Sequence, residues 1–593
     1  MRTLPPLACL LIVAACSTSA AQRPNILLIL TDDQGWGDVH SHGNDVLATP
    51  HLDRLAKEGA RLERFYVCKL CAPTRASLLT GRYHLRTGVH GVTRAAETMR
   101  VSEVTIAELL KGAGYRTGCF GKWHNGANWP HHPSGQGFDE FLGFCGGHWN
   151  LYFDPVLQRT RPDSTGPEPT PRTGYISDTL TDAALEFTAR PGPWFCYLAY
   201  NAPHSPFQVP DAEFARHKAR GLSDELASIY GMCENLDANI GRLLGALREA
   251  GTLDSTVVIF LTDNGPNSDR FNGHMKGRKG SPHEGGVRTA CFMRYPPRIA
   301  AGTVVEEIAA HIDMLPTLAE LCDLPARAAA SRLIDGRSLM PLMTKQQTAW
   351  RDERMIFTDL GTAAGQGGAV RTSRWRAVKP GAGPWELYDM RADPDQKQNL
   401  AAEQPAELSR LQAAWLAHHK EVTSSGFDLL PTQLGGNWTL VTLPGHEALL
   451  QPDPAGTRPG ISYFGKSGWA NDWVANWTST AAFPRWEIDV LAPGRYEVTL
   501  HYALPEADVG ACLSISAAGQ IIETTLTKAE DAPLVPMPDR IGRKEAPERR
   551  WGRHLCGTFT LPAGKTTLDI RALSKPGSQV GEIKAVELRR LSD

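Results

Sequence analysis

Leu70–Arg82 reads LCAPTRASLLTGR, and its cysteine stands two residues ahead of a proline and four ahead of an arginine. If the proline opens a helix, Cys71 and Arg75 lie one turn apart on the same face, at the end where backbone N–H groups point outward. A second set of chemical residue types follows apolar runs. TDDQG follows NILLIL, GKWH follows YRTGCF, NAPH follows WFCYLAY, and TDNG follows VVIFL. Asp32, Asp33, Asp263 and Asn264 offer oxygen donors only, which suit calcium first, magnesium second, and not zinc. Two carboxylates about 4 Å apart repel by roughly 4 kcal/mol at an effective dielectric near 20, so gathering three of them calls for a cation. Arg75, Lys122, His124, His204 and Lys279 would surround that cation with donors suited to a tetrahedral oxyanion.

The elements between these clusters decide whether they meet. Helical patterns run from Ser102 to Lys111, with Ser102 as cap, and from Asp224 to Ala250, with Leu236, Ile240, Leu243, Leu244 and Leu247 in register. Alternating strands and helices predict a largely parallel sheet sandwiched by helices, whose ligands lie beyond the carboxyl ends of the strands. All four polar clusters then fall on one rim.

Taken together, CAPTRASLLTGR, GKWH, TDDQGWGD, APHSPF, TDNG and GRKGSPHEGGVR resemble the type I sulfatases of the alkaline phosphatase superfamily, from about Arg23 to Leu400. The resemblance implies that a formylglycine-generating enzyme oxidises Cys71 to formylglycine (3-oxoalanine), whose hydrated gem-diol is the nucleophile. It implies one calcium ion on Asp32, Asp33, Asp263 and Asn264, with the oxygen at position 71 beside it. Asp263 would also draw a proton from the gem-diol. Arg75 would orient the formylglycine, Lys122 and Lys279 would hold sulfate oxygens, His204 would protonate the leaving alcohol, and His124 would take the second hydroxyl proton. GKWHNGAN departs from the family where a leucine and a glycine commonly follow the histidine. The expected activity is calcium-dependent hydrolysis of a sulfate ester, with a sulfated saccharide as substrate. The alternatives are a phosphomonoesterase or phosphodiesterase of the same superfamily, and a glycan-binding protein of weak activity. His148, Trp149, His274 and His283 lie in loops that would either line the substrate cleft or face solvent.

The 593 residues are 42% apolar and 21% charged with a net charge of −2, ordinary globular usage with no basic surplus for nucleic acid. The apolar run Leu7–Ala15 is too short to cross a bilayer and reads as a signal peptide over residues 1–21. Export follows, to a periplasmic, secreted or lipid-anchored location, since VAAC resembles a lipobox and TSA suits ordinary cleavage. No other stretch reads as a transmembrane span. Ten of the twelve cysteines lie beyond this leader without metal-ligand spacing and read mostly as buried thiols.

The catalytic α/β domain is expected over 22–330 and a smaller antiparallel-sheet subdomain over 331–425, closed by the helix AELSRLQAAWLAHHKEV. From 436 to 593 the alternation in RYEVTLHY and TTLDIRAL predicts an all-β sandwich resembling carbohydrate-binding modules. Trp469, Trp473 and Trp477 would either stack on sugar rings or pack inside.

Overall fold

The computed structural model describes residues 23–592, except 325–332, 345–349, 351–352, 428, 453–459 and 466–467. The signal-peptide reading and the expected boundary at 330/331 lie outside the described residues.

The main sheet is built from β1 (Asn25–Thr31), β2 (Ala60–Tyr66), β3 (Arg116–Lys122), β4 (Glu140–Phe144), β5 (Val156–Thr160), β6 (Glu168–Pro171), β7 (Trp194–Ala199), β8 (Thr256–Thr262), β9 (Arg288–Thr289), β10 (Cys291–Arg294) and β11 (Thr303–Ala310). Its order is β11-β2-β10-β8-β1-β7-β3-β4-β5-β6, with β9 against β2. The central neighbours β8, β1, β7, β3 and β4 are parallel. Pairings of β10 with β2 and β8, and of β4, β5 and β6, are antiparallel.

β1 explains why its sequence is apolar throughout. Leu27 and Ile29 enter one core layer, while Ile26, Leu28 and Leu30 enter the other. A strand covered on both faces has no solvent side on which to alternate. The covering helices include α1 (Pro50–Glu58), α2 (Cys71–Thr80), α3 (Ile106–Gly112), α4 (Ile176–Thr188), α5 (Asp211–Lys218) and α6 (Asp224–Glu249). In α3 the structure departs from the expected cap. Thr105 is the N-cap, and with Glu108 it forms a reciprocal capping box that leaves Ser102 outside the helix.

Gly121 allows β3 to sit close to β7. Its φ is 115°, and a Cβ there would stand 1.9 Å from the Ala199 carbonyl oxygen. Lys122 is the next residue.

A second, antiparallel sheet comprises β12 (Ile356–Asp359), β13 (Gly368–Arg371), β14 (Trp375–Lys379) and β15 (Glu386–Asp389). The helix Pro405–Val422 packs Leu411 and Trp415 onto Val370, Ala377 and Leu387. The remaining strands form two six-stranded sheets enclosing one core. Tyr496, Val498, Leu500 and Tyr502 point into that core, as their alternation requires. The first sandwich strand, Thr432–Leu434, already pairs with Phe483–Val490 and so precedes the expected start at 436.

Candidate active site

Each polar cluster stands where its strand ends. Asp32 and Asp33 follow β1, Asp263 and Asn264 follow β8, Lys122 closes β3 with His124 just beyond, and His204 lies past β7. Parallel neighbours in register bring these ends together. Helix α2 enters from the side with all ten of its residues buried, and Cys71 is its first residue. The helix stops at Gly81, whose φ of 67° lets its N–H donate to the Ser77 carbonyl.

The acidic and basic groups interlock. Lys122 Nζ lies 2.5 Å from Asp32 Oδ2, and Lys279 Nζ lies 2.6 Å from Asp33 Oδ1. Arg75 donates one nitrogen to Asp263 Oδ2 at 2.9 Å and another to the Lys122 carbonyl at 2.8 Å. The Asp33 N–H donates to Asp263 Oδ1, and Asn264 and Asn267 donate to the two oxygens of Asp33. Three carboxylates are thus matched by three cations of the chain itself, which weakens the expectation that charge alone demands a metal. A different signal remains. Asp32 Oδ1 and Asn264 Oδ1 are buried without a hydrogen-bond partner. Asp32, Cys71 and Asp263 can bring one ligand atom each within 4.8 Å of one another, as can Asp32, Asp33 and His204.

Electrostatics divide the carboxylates. Burial raises the proton affinity of Asp32, but Lys122, His204 and Arg75 outweigh it and hold the group below its usual value. Burial also raises Asp33, and Lys279 and His204 reverse that shift. Asp263 goes the other way, because burial and the charge of Asp32 exceed what Arg75 and Lys122 return. Among the three it is the best proton acceptor.

The histidines are held by backbone carbonyls. His124 Nε2 is 2.9 Å from the Val92 oxygen, so Nε2–H donates there and the buried Nδ1 keeps its lone pair. Burial and the charge of Lys122 push its pKa well down, which keeps the ring neutral. His204 Nδ1 donates to the Ser205 carbonyl at 2.6 Å, and Nε2 faces Asp33 Oδ2 at 3.6 Å.

These groups form the floor of a cleft of about 520 Å³, which Asp33, Cys71, His124, His204 and Lys279 all line. Of the loop histidines whose place was open, His148 lines the cleft with its ring parallel to that of His204 at 6.1 Å. His283 pairs with Glu386, His274 is exposed, and Trp149 stacks on Phe144. The three tryptophans separate as well. Trp473 and Trp477 are fully buried, whereas Trp469 is 40% exposed and lines the cleft. The opposite wall, Ile541–Glu545, comes from the sandwich and carried no signal in the sequence. All ten described cysteines are free thiols, eight of them buried. Among the described residues no helix is long and apolar enough to cross a membrane.

Comparison with known proteins accounts for this arrangement. The Sulfatase family model matches residues 24–324, and the model for the C-terminal part of N-sulphoglucosamine sulphohydrolase matches 278–420. Steryl-sulfatase of Mus musculus is 31% identical over 537 residues, spanning 70% of this chain and 85% of its own. Arylsulfatase A of Homo sapiens is 34% identical over 409 residues, spanning 62% and 77%. The crystal structure of Ps i-CgsB in complex with k-i-k-neocarrahexaose is similar with a TM-score of 0.63 and 28% identity, covering 69% of this chain and 95% of that one. The phosphonate monoester hydrolase of Agrobacterium radiobacter shares the fold at a TM-score of 0.51 and 21% identity. A rim of carboxylates and cations on this sheet, with the family model spanning every strand that supplies it, makes the chain a member of the sulfatase family, an enzyme that hydrolyses sulfate esters.

Proposed function

We propose that the enzyme desulfates a saccharide, that Cys71 is oxidised to formylglycine by a dedicated generating enzyme, and that one calcium ion sits on Asp32, Asp33, Asp263 and Asn264 beside position 71. The observation that carries the metal assignment is the pair of buried, unpartnered oxygens, Asp32 Oδ1 and Asn264 Oδ1, within an oxygen-rich cluster. Oxygen donors of this kind fit a hard cation. When bound, the ion would supply charge neutralisation and polarisation of sulfate oxygens. An aldehyde at position 71 would supply, once hydrated, a gem-diol oxygen as nucleophile.

The chain's own residues do the rest. Asp263 accepts a proton at the carboxylate that burial has made basic, while Arg75 fixes that carboxylate and the Lys122 backbone together. Lys122 and Lys279 project cations into the floor and hold the sulfate oxygens. His204 donates a proton from Nε2 to the leaving alcohol, its ring fixed through Nδ1. His124 receives a proton at Nδ1, the nitrogen left free by the bond to Val92. Burial of the floor excludes bulk water and strengthens each of these interactions.

The saccharide assignment draws on the relatives. One similar structure was solved with k-i-k-neocarrahexaose, and N-acetylgalactosamine-6-sulfatase of Mus musculus is 34% identical over 384 residues. The cleft volume of about 520 Å³ falls within the range of about 300–1,000 Å³ that small-molecule sites occupy. The leader-like N-terminus supports export to a periplasmic, secreted or lipid-anchored location. The deciding experiment is a desulfation screen on defined sulfated glycans, with an aryl sulfate and an aryl phosphate alongside. Sulfate release from a glycan is expected, and preferential release of phosphate would overturn the reading.

A further inference from the structure

The sandwich does not hang off the catalytic body as a separate module. Its long excursion between the strands Gln520–Thr525 and Gly552–Leu561 lies along the rim next to His204. Gln208 Nε2 donates to Asp539 Oδ1 at 2.7 Å, and Arg540 Nη1 donates to the Val209 carbonyl at 2.8 Å. The hydroxyl of Ser205, the residue following His204, donates to the Glu545 carboxylate. On the other side Asn471 Nδ2 donates to the His148 carbonyl at 2.8 Å, while Lys584 Nζ donates to the Asn471 carbonyl at 2.6 Å. Two anchored segments of the sandwich therefore face each other across the cleft mouth.

The charges there are not all spent. Arg543 turns inward to Asp539 and to the Asn150 carbonyl. Glu545 is held by Ser205, and Lys279 by Asp33. Lys544 is exposed on the cleft lining, and among the described residues it has no ion-pair partner. Trp469 offers an exposed indole on the same lining, in contrast to the buried Trp473 four residues on. An aromatic face and a cation without an ion-pair partner, set across the mouth of one cleft whose floor is rich in cations, match a sugar ring bearing a further anionic group.

We infer that the C-terminal sandwich completes the substrate site, with Trp469 as the platform for the ring beyond the scissile sulfate and Lys544 as the partner of a second anion on that saccharide. This rests on the saccharide reading above. The family models end at residue 420, so neither includes these two residues. Specificity in this enzyme is thereby set by a part of the chain outside the matched region.

The test uses the full-length enzyme, Trp469→Ala and Lys544→Met, a disaccharide carrying two sulfates, its monosulfated analogue, and a nitrophenyl sulfate. Trp469→Ala is expected to lower kcat/KM on the disaccharides by about tenfold, chiefly through KM, and to lose much less on nitrophenyl sulfate. Lys544→Met is expected to erase the preference for the doubly over the singly sulfated disaccharide. Should Trp469→Ala not fold, Trp469→Phe keeps an aromatic face, and restored disaccharide KM would support the platform. Ile521→Ser, on an exposed sandwich strand outside the cleft, is the control for general damage. Disaccharide turnover that neither substitution changes, or equal losses on all three substrates, would overturn the inference alone. Turnover of nitrophenyl sulfate with none of any sulfated saccharide would overturn the saccharide reading and this inference with it.

Discussion

Lys122 Nζ stands 2.5 Å from Asp32 Oδ2, while the other oxygen of the same carboxylate has no partner. The pair is wholly buried, so each charge depends on the other. Lys122→Met is expected to strand Asp32 without its nearest cation and to cost about 3–5 kcal/mol of stability, the usual result of breaking a buried pair. Activity should fall far more than stability accounts for, because the same lysine is proposed to hold sulfate. Thermal unfolding and sulfate-release kinetics on one preparation would check both, and near-normal turnover would remove Lys122 from the mechanism.

The two neighbouring cysteines should differ in their chemistry. Both are buried, but Cys71 opens helix α2 and lines the cleft, whereas Cys68 lies against His311 with its thiol pushed up to about 12, chiefly by burial. Protein matured with its generating enzyme should show an aldehyde mass at position 71 and an intact thiol at position 68. Cys71→Ala should fold and be inactive. Full activity with an unmodified Cys71 would contradict the proposed nucleophile.

Metal content gives a third outcome. Asn264 makes its side-chain bonds to Asp33 and the Gly265 carbonyl, and its own oxygen is unpartnered. Asn264→Ala should therefore leave the fold in place, reduce bound calcium below one ion per chain, and lower turnover by roughly a hundredfold. Elemental analysis alongside kinetics checks it. Chelation should abolish activity and calcium restore it, and undiminished turnover in metal-free enzyme would defeat the assignment.

The legible and illegible parts of this molecule differ in how local their causes are. NILLIL followed by TDD reads as a buried strand ending in ligands because Leu27 and Leu28 face opposite core layers and Asp32 begins where the strand stops. Ser102 resembles a cap for α3, but the helix starts from its N-cap Thr105, which with Glu108 has the spacing of a capping box. Tryptophans 469, 473 and 477 share one spacing, yet they lie in irregular chain where no period decides which face is covered. The sandwich wall was invisible for a stronger reason. Ser205 meets Glu545, and His148 meets Asn471, across hundreds of residues with no local pattern to announce either pair.

A last outcome concerns pH and the join between the catalytic body and the sandwich. Asn128 Nδ2 donates to the Thr442 carbonyl at 2.9 Å, and the buried carboxyl of Glu97 faces that of Glu447. Two facing carboxylates repel, so ionising both is disfavoured. Burial raises both above their ordinary 4.5, and for Glu97 the facing charge of Glu447 adds to the shift. A group whose folded pKa exceeds its unfolded one contributes stability that is complete below the unfolded value and is lost as pH rises through the folded value. The join should therefore be tightest in mild acid and weaken as the pH climbs above 4.5. Glu97 also sits close to the catalytic helix, since Asn125 donates both to the Glu97 carbonyl and to the Ala72 carbonyl. Glu97→Gln removes the titrating proton while an amide can still donate to an ionised Glu447. The unfolding temperature of wild type should fall as the pH climbs above 4.5, and Glu97→Gln should flatten that fall. Parallel curves for the two proteins over this window would show that the pair does not govern the pH response.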